Sequence, residues 1–473
     1  DHDFVITPLY AAMPPEEQLK VFIPTANNKR KFILATNIAE TSITVTDVRY
    51  VIDCGFVKTR LIHPVTGYEM LKTIPISKAQ ANQRAGRSGR TAPGKCYRIY
   101  TEKIFIKFED VTIQRVNMTQ VILQLKDLNI PSITDFPLPS PPSTASIKVA
   151  FQILLMLQAL DTDQNLTKHG KNMAQLPLFP ILGHLLLKSI EYKCVAECLT
   201  AVSLLSSDIF QQPFKEEEKQ KAERARRNFM VREGDLLTLV NVYEKWREAH
   251  MDKGWTNRNY LNFRALQHAH SVRNQLGTLL QTKLHVDIAV SCMPSKEPFL
   301  MCIAAGLFMN VARKVTAETA SEERKINPND TSSQVAKSRF EAILASSKAN
   351  KYKSNTNSSS NSNTLTAPYK TLKDGQYVHI HPSSVLFSFS GGISKLPNYI
   401  IFAELLITSK QYIRTLSVID ESWLHIVAPH VYTMNSSSTT GSVSGTSGSS
   451  INVQDKRKHN DDKNSNSTKK MKS

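Results

Sequence analysis

Along the first hundred residues, short runs of apolar residues alternate with segments whose apolar residues recur at helical spacing. Residues 32–35 and 50–53 are apolar runs typical of buried parallel strands. Apolar positions within 14–23 and 79–86 recur at helical spacing instead. Alternating strands and helices predict an α/β domain.

Two β-prone runs, 56–62 and 68–76, flank a turn-forming segment at residues 63–67. Turn residues between two β-prone runs are typical of a hairpin. The sequence therefore predicts a β-hairpin within the α/β region.

The pattern becomes mainly helical between residues 107 and 293. A polar run at 161–167 follows the second predicted helix and indicates a small β-turn wing. The helices predicted from amphipathic spacing are 116–128, 145–160, 181–188, 195–205, 216–229, 236–249 and 265–283.

Past Pro294 the β-prone pattern returns. Five strands of this length suit a small barrel. The predicted strands are 307–315, 377–381, 385–390, 400–408 and 412–418.

Two segments have compositions that cannot support a packed core. Residues 354–363 contain only Ser, Asn and Thr, and 436–450 are almost entirely Ser, Thr and Gly. Such segments bury too little apolar surface to offset the entropy of ordering. The first lies within a longer polar stretch, about 316–364, which we predict to be a disordered insertion in a surface loop.

The chain is strongly basic, with 59 Lys+Arg against 41 Asp+Glu and a formal charge of +18 over 473 residues. Residues 434–473 hold seven basic and three acidic side chains, so they contribute only +4 of this charge. A basic folded part favours nucleic acid as the partner over an acidic protein or a membrane surface. No apolar run is long enough to predict a membrane span. The length predicts three to four domains.

The six cysteines are scattered and form no C-x-x-C pair, so the sequence predicts no metal site. Cys194 and Cys198 lie one helical turn apart, where buried thiols are the better interpretation than structural zinc. This cysteine usage fits a reducing compartment.

The most specific motif is Gln83-Arg84-Ala85-Gly86-Arg87-Ser88-Gly89-Arg90. Arg87 and Arg90 are three residues apart, so on a helical turn they share a face. Two guanidinium groups aimed at one point suit the equatorial oxygens of a transferring phosphoryl group. The alternative is a generic basic patch.

A second polar motif, residues 35–44, directly follows an apolar strand. It contains Thr36, Asn37 and Ser42. Hydroxyl and amide groups at the end of a strand suit contacts with a nucleic-acid backbone. The alternative is that Asn37 or Ser42 caps the following helix.

The run Gly89-Arg90-Thr91-Ala92-Pro93-Gly94-Lys95 resembles the start of a P-loop, but Cys96 follows where Mg²⁺ binding needs Ser or Thr. A strand is also predicted where a P-loop requires a helix. The sequence therefore lacks the parts that hold ATP phosphates and Mg²⁺.

With these motifs in place, residues 4–432 resemble the C-terminal two-thirds of a DEAH-box RNA helicase. Residues 35–44 resemble motif V of that family, and residues 83–90 resemble motif VI. Within the family, residues 51–58 and 121–126 are similar to a spliceosome-associated subtype. Because Asp1 is not Met, we expect a fragment that begins inside a domain.

The resemblance implies a multidomain fold with an α/β RecA-like domain followed by winged-helix, helical ratchet and OB-like β-barrel domains. The expected bounds are 1–106 for the second RecA-like domain, 107–174 for the winged helix, 175–293 for the ratchet, 294–433 for the OB-like barrel and 434–473 for a disordered basic tail.

The resemblance also implies a nucleotide site. Gln83, Arg87 and Arg90 would face the γ-phosphate, with the two arginines acting as fingers. Ser42 would sense the nucleotide state, and Thr46 stands where the family usually has an Asp that contacts ribose. Phe22 would stack on adenine, or would instead be a core contact of an amphipathic helix.

On the RNA side, the resemblance assigns Thr36 and Asn37 to contacts with single-stranded RNA. The predicted hairpin would act as a wedge, with Lys58 and Arg60 reaching phosphates. An ordinary solvated strand face is the alternative for these two cations.

The implied activity is ATP-dependent 3′–5′ RNA helicase action, with ATP and Mg²⁺ as cofactors and the Mg²⁺ ligands in a preceding domain. The chain alone is expected to be inactive. Pre-mRNA splicing is the expected process, with spliceosomal proteins or a helicase-activating protein as partners. The alternatives are a non-enzymatic RNA-binding or adaptor module, a DNA-directed helicase, and a helicase of ribosome biogenesis.

Two basic clusters, 456–458 and 469–472, lie in the C-terminal tail. Short basic clusters on a flexible spacer suit a nuclear import receptor. The sequence therefore predicts a nuclear protein. A non-specific RNA-binding tail and a solubilising terminus are the alternatives.

Overall fold

The computed structural model describes residues 4–10, 13, 15–25, 29–41, 43–62, 69–102, 118–130, 136, 142–205, 207–213, 215–315, 369–389, 396–407 and 410–432. The predictions of disorder for the insertion and the tail lie outside these residues, as does Ser42.

The N-terminal region contains two parallel strand pairs. Strand β1 (Phe4–Leu9) pairs with β2 (Arg30–Ala35), and β3 (Tyr50–Asp53) pairs with β6 (Lys95–Arg98). The parallel pairing was predicted, but the prediction that these strands are buried is wrong for much of their surface: Leu34 is 65% exposed. A two-stranded sheet leaves faces and edges without a covering neighbour.

Three short helical segments connect these strands. Residues 14–23, predicted as one helix, form α1 (Pro15–Leu19) followed by a 3₁₀ turn (Lys20–Phe22), and α2 (Ile38–Thr41) follows β2. The ammonium group of Lys31 binds the carbonyl oxygens of Val21 at 2.5 Å and Ile23 at 2.8 Å. These bonds satisfy carbonyl groups at the end of the 3₁₀ turn, which the last helical turn leaves unpaired.

The two strands of the predicted hairpin are confirmed, and its predicted turn at residues 63–67 lies outside the described residues. Strand β4 (Phe56–Ile62) pairs antiparallel with β5 (Glu69–Pro75), which places Lys58 opposite Thr73. Helix α3 (Lys78–Ala85) follows β5 directly. The hairpin therefore leads straight into the arginine-rich motif.

The central part of the described chain is helical, as predicted. The polar run at 161–167 forms a turn closed by an antiparallel bridge between Leu160 and Leu166. The helices are α4 (Met118–Asp127), α5 (Thr144–Met156), α6 (Lys168–Ala174), α7 (Pro180–Glu191), α8 (Val195–Leu204), α9 (Glu216–Arg227), α10 (Asp235–Glu248), α11 (Lys253–Arg258), α12 (Phe263–Leu284) and α13 (Glu297–Gly306).

One continuous hydrophobic core joins α4, α5, α7, α8, α10, α12 and α13. Leu154, Leu185 and Phe299 are among its fully buried side chains. A second cluster around Trp246 packs α10 against α12. None of the described helices combines the length and apolar character needed to cross a bilayer.

The predicted small barrel is confirmed as a closed five-stranded barrel. Around the barrel, the strands follow the order β10, β11, β9, β8, β7. They are β7 (Val311–Lys314), β8 (Tyr369–Thr371), β9 (Tyr377–Ile380), β10 (Tyr399–Ile407) and β11 (Gln411–Ile419).

One of the five predicted strands is wrong. The strand predicted at 385–390 is not formed by its described residues, 385–389, because Val385–Ser388 is a helix (α14) capped by the hydroxyl group of Ser384. The fifth strand of the barrel is β8, which the sequence did not predict. It has three residues, too few for an alternating pattern of apolar and polar positions to be recognised. A last helix, α15 (Glu421–Val427), follows β11.

A partly buried carboxylate joins the helical region to the barrel. Asp235, at the start of α10, accepts hydrogen bonds from the Ser384 hydroxyl at 2.8 Å and from the backbone N–H groups of Val385 at 2.7 Å and Leu416 at 2.8 Å. The preceding Gly234 has a φ of 125°, and an added Cβ would lie 2.2 Å from the Leu416 carbonyl oxygen. Only glycine allows this close approach.

Candidate nucleotide and nucleic-acid site

The arginine-rich motif is carried by α3 and the turn that follows it. The helix begins at a capping box, in which Ser77 and Gln80 satisfy each other's backbone N–H groups. After Ala85 the chain continues as a tight turn, with the Arg87 N–H bonded to the Arg84 carbonyl at 3.1 Å. Gly94 packs beneath this turn, since an added Cβ would lie 1.9 Å from the Ser88 carbonyl oxygen.

Arg84 holds α3 against α2 and the end of β3. Its guanidinium group donates to Glu40 at 3.1 Å, to Asp53 at 2.8 Å and to the Phe56 carbonyl oxygen at 3.1 Å. All three bonds use different nitrogen atoms, so the planar group has one defined orientation. Arg84 therefore sets the position of the turn that carries Arg87 and Arg90.

The carboxyl group of Asp53 is fully enclosed by donors. Besides Arg84, it accepts from the Tyr100 hydroxyl at 2.7 Å and from the Gly55 N–H at 3.0 Å. Burial alone would raise the pKa of Asp53, but these hydrogen bonds and the charge of Arg84 lower it below its usual value. Asp53 is therefore an ionised anchor.

Sequence reasoning missed the role of Arg84, although the residue lies inside the recognised motif. Its acidic partners precede it by 44 and 31 residues. No local spacing connects them. The apolar strand ending in Asp53 was the only available signal.

Arg87 and Arg90 lie side by side on the turn. Arg90 donates to the Thr44 hydroxyl at 2.7 Å, so it reaches the end of the polar run 35–44. Burial lowers the pKa of Arg87, and the neighbouring charge of Arg90 lowers it further, while Glu40 acts in the opposite direction. The structure thus brings the two predicted finger residues together.

The Nη1 atom of Arg87 is buried and has no hydrogen-bond partner among the described residues. Buried polar groups are almost always hydrogen-bonded, and a buried charge is normally paired. An anion at this point would supply the missing acceptor and offset the repulsion between the two guanidinium groups. The site therefore fits a phosphate group.

Thr36 and Asn37 lie at the carboxyl end of β2, as predicted, and both are exposed. The Thr36 N–H binds the Leu9 carbonyl oxygen at 3.1 Å, which ties the residue to the end of β1. The carbonyl groups of Thr36 and Asn37 accept from Ala39 and Glu40 at the start of α2. The two side chains are accessible to a ligand beside the strand ends.

Gln83, Thr46 and Phe22 are exposed, and none of them hydrogen-bonds Arg87 or Arg90 within the described part of the chain. Thr46 precedes Asp47, whose φ of 60° marks a tight turn. Phe22 is 45% exposed, which disfavours the core alternative. The structure leaves their nucleotide roles as predictions.

Lys58 and Arg60 are alternate residues of β4, opposite Thr73 and Leu71. The Lys58 side chain is exposed. The structure places both residues on the hairpin, and their contact with RNA stays a prediction.

Three family models match the chain. The helicase conserved C-terminal domain matches residues 1–92, and the ratchet-like helicase associated domain (HA2) matches residues 180–239. An oligonucleotide/oligosaccharide-binding (OB) fold matches residues 300–432, the region of the closed barrel.

Full-length relatives are similar over most of this chain. It is 37% identical to the probable ATP-dependent RNA helicase DHX35 of Pongo abelii over 440 residues, and 37% identical to that of Homo sapiens over 432 residues. These alignments cover 92% and 90% of the chain but 53% of each relative.

The pre-mRNA-splicing factor ATP-dependent RNA helicase prp22 of Schizosaccharomyces pombe is 35% identical over 432 residues, which is 90% of this chain and 32% of that protein. The chain thus spans about half the length of the DHX35 relatives and a third of prp22. With its helicase C-terminal, HA2 and OB-fold regions in this order, the chain is similar over about 90% of its own length to DEAH-box RNA helicases.

Proposed function

We propose that this chain is the C-terminal part of an ATP-dependent RNA helicase that moves 3′–5′ along RNA and remodels ribonucleoproteins. The observation that carries the proposal is the buried, unpaired Nη1 atom of Arg87 beside Arg90. Relatives named ATP-dependent RNA helicases support it.

In this proposal the N-terminal region is the second RecA-like domain. Arg84 holds the turn against Glu40 and Asp53, so Arg87 and Arg90 meet the γ-phosphate with little loss of side-chain entropy. When bound, ATP would supply the phosphoryl group and Mg²⁺ would neutralise part of its charge, while Arg87 and Arg90 would hold the γ-phosphate. Mg²⁺ ligands belong to a preceding domain, because this sequence has no P-loop motif.

RNA binding is proposed to use the strand ends beside the arginine turn. Thr36 and Asn37 contact the phosphate backbone, and the β4–β5 hairpin presents Lys58 and Arg60 to the same strand of RNA. The region of α4 to α6 with its bridged turn acts as the winged helix, and the barrel supplies further single-strand contacts.

A direct test is Arg87→Ala and Arg90→Ala in the full-length protein. Loss of an arginine finger removes transition-state charge stabilisation, so ATP turnover is expected to fall on the order of 10³-fold. RNA affinity measured in the same preparations should stay nearly unchanged.

Arg258→Ala is the matched control, since Arg258 is exposed and 3.7 Å from Asp252. A variant at position 87 or 90 that keeps normal turnover but loses RNA binding would overturn the assigned roles. A full-length protein without any ATP turnover would favour the non-enzymatic adaptor alternative.

Pre-mRNA splicing is the proposed process, because one similar relative is named a pre-mRNA-splicing factor. A helicase-activating protein and spliceosomal proteins are the proposed partners. Ribosome biogenesis is the alternative, and sequencing the RNA crosslinked to the full-length protein distinguishes the two.

We further propose that the protein enters the nucleus on an import receptor that binds the basic clusters 456–458 and 469–472. Residues 434–473 fused to a cytoplasmic reporter should then direct it to the nucleus. Replacing Lys456, Arg457 and Lys458 by Ala should abolish that accumulation. A reporter that stays in the cytoplasm with the intact tail would eliminate this signal.

A further inference from the structure

Three cysteine thiols meet in the helical core, outside the proposed nucleotide site. Cys194 is the N-cap residue of α8, Cys198 lies one turn further along that helix, and Cys302 lies on α13. The Sγ atoms of Cys194 and Cys198 are 3.6 Å apart, and those of Cys198 and Cys302 are 3.5 Å apart. All three side chains are fully buried, and all three thiols are free.

The spacing of these sulfur atoms is close to that of a metal–thiolate centre. Since a zinc–sulfur bond is about 2.3 Å long, sulfur ligands around one ion lie about 4 Å apart. Here all three Sγ atoms lie within 4.8 Å of one another.

Outside the cluster, the partners of these thiols among the described residues are weak. Cys194 approaches the Pro298 carbonyl oxygen at 3.9 Å, and Cys302 approaches the Leu185 carbonyl oxygen at 3.7 Å. Backbone carbonyl groups at these distances are weak acceptors for thiols. The three sulfur atoms are therefore oriented mainly toward one another.

The ligand set is composed of sulfur alone among the described residues, because no imidazole or carboxylate group joins the cluster. Soft thiolate ligands select zinc or monovalent copper over magnesium, calcium and manganese. Cys194 also lies at the N-terminus of a ten-residue helix, where the helix dipole favours a negative charge.

We propose that Cys194, Cys198 and Cys302 form a buried site for one thiophilic d¹⁰ metal ion, Zn²⁺ or Cu⁺. Each thiol that binds transfers its proton to the solvent, and a metal–sulfur bond forms without any change of oxidation state. The ion joins α8 to α13. Because α13 leads into β7, the ion stabilises the part of the helical region that connects to the barrel.

The experiment uses the purified chain, loaded separately with Zn²⁺ or with Cu⁺ under reducing conditions and then dialysed against a weak chelator. One equivalent of ion should remain, measured by elemental analysis, and the Tm of the loaded protein should rise. X-ray absorption spectroscopy of the retained ion should show a shell of sulfur atoms. The ion that is retained identifies the metal.

Cys302→Ser should lose the retained ion, while Cys54→Ser, which changes an exposed thiol, should keep it. Equal retention by Cys302→Ser and the unchanged chain would overturn the proposal, as would retention of neither ion. If Cys302→Ser fails to fold, the absorption spectrum of the unchanged chain decides, because a shell of nitrogen and oxygen atoms contradicts a three-cysteine site.

Discussion

At the scale of single residues, the arginines of one motif have different tasks. Arg84 is paired with two carboxylates and is mostly buried. Among the described residues, Arg87 has a buried nitrogen atom without a hydrogen-bond partner, and Arg90 donates to a hydroxyl group. A fully paired guanidinium group is a positioning residue, and an unpaired one is available to a ligand anion. Arginine thus has a structural role at position 84 and is available for anion binding at positions 87 and 90.

We expect Arg84→Ala to destabilise the N-terminal region by about 3 kcal/mol, because it leaves the buried Asp53 carboxylate without its charged partner. Hydrogen exchange of the amides in β3 and α3 measures this loss directly. Asp53→Asn added to Arg84→Ala should recover part of it, since the uncompensated charge is then removed.

Arg258→Ala again provides the control, because an exposed pair contributes only about 0–1 kcal/mol. Exchange rates for Arg84→Ala that match this control would show that Arg84 does not anchor the turn.

At the scale of elements, buried polar pairs fix how neighbouring helices meet. His169 on α6 and His184 on α7 share a 2.8 Å hydrogen bond, and His184 packs edge-on against Phe308. Burial, together with the charges of His169, Lys188 and His430, lowers the pKa of His184 to about 3. This histidine is therefore neutral in the folded protein at physiological pH.

From the buried His184 of this pair we expect the free energy of unfolding to depend on pH. In the unfolded chain His184 titrates near its ordinary pKa of about 6.5, so the unfolded state binds the proton more readily than the folded state. The free energy of unfolding should therefore fall as the pH drops from about 6.5 toward 3, by up to about 1.4 kcal/mol per pH unit.

Urea unfolding at a series of pH values measures this slope. His184→Gln should reduce it, while His268→Gln, at an exposed position of α12, should leave it unchanged. An identical slope in both variants would assign the pH dependence to other groups.

Element prediction succeeded where the pattern was long and failed where it was short. Helices such as α10 and α12 repeat their apolar spacing over several turns, and the structure confirms them. Residues 385–387 are apolar without a period, so the Ser384 cap and the Asp235 acceptor decided that Val385–Ser388 forms a helix. Tertiary contacts override propensity in segments this short.

At the scale of the whole molecule, the chain carries a net charge of +18 that is not confined to its tail. Lysine and arginine residues that neutralise phosphates release counterions from RNA, and this release makes binding depend on salt. We therefore expect RNA binding by this chain to be largely electrostatic.

We expect residues 1–473 to bind single-stranded RNA without hydrolysing ATP. Affinity should fall about 10³-fold or more between about 50 and about 200 mM salt. Fluorescence anisotropy with labelled RNA measures the slope, and deletion of 434–473 should preserve most of it. A flat salt response would favour a protein-binding role, and RNA-stimulated ATP turnover would show that the chain holds a complete nucleotide site.

The sequence by itself determined most of the elements and the motif that carries Arg87 and Arg90, because periodicity and turn chemistry are local properties of the chain. Only the tertiary structure decided which of these side chains are paired. It brought Arg84 to Glu40 and Asp53, and Cys302 to Cys198 across 104 residues. Such contacts depend on how whole elements pack against one another, and no spacing along the chain encodes that packing.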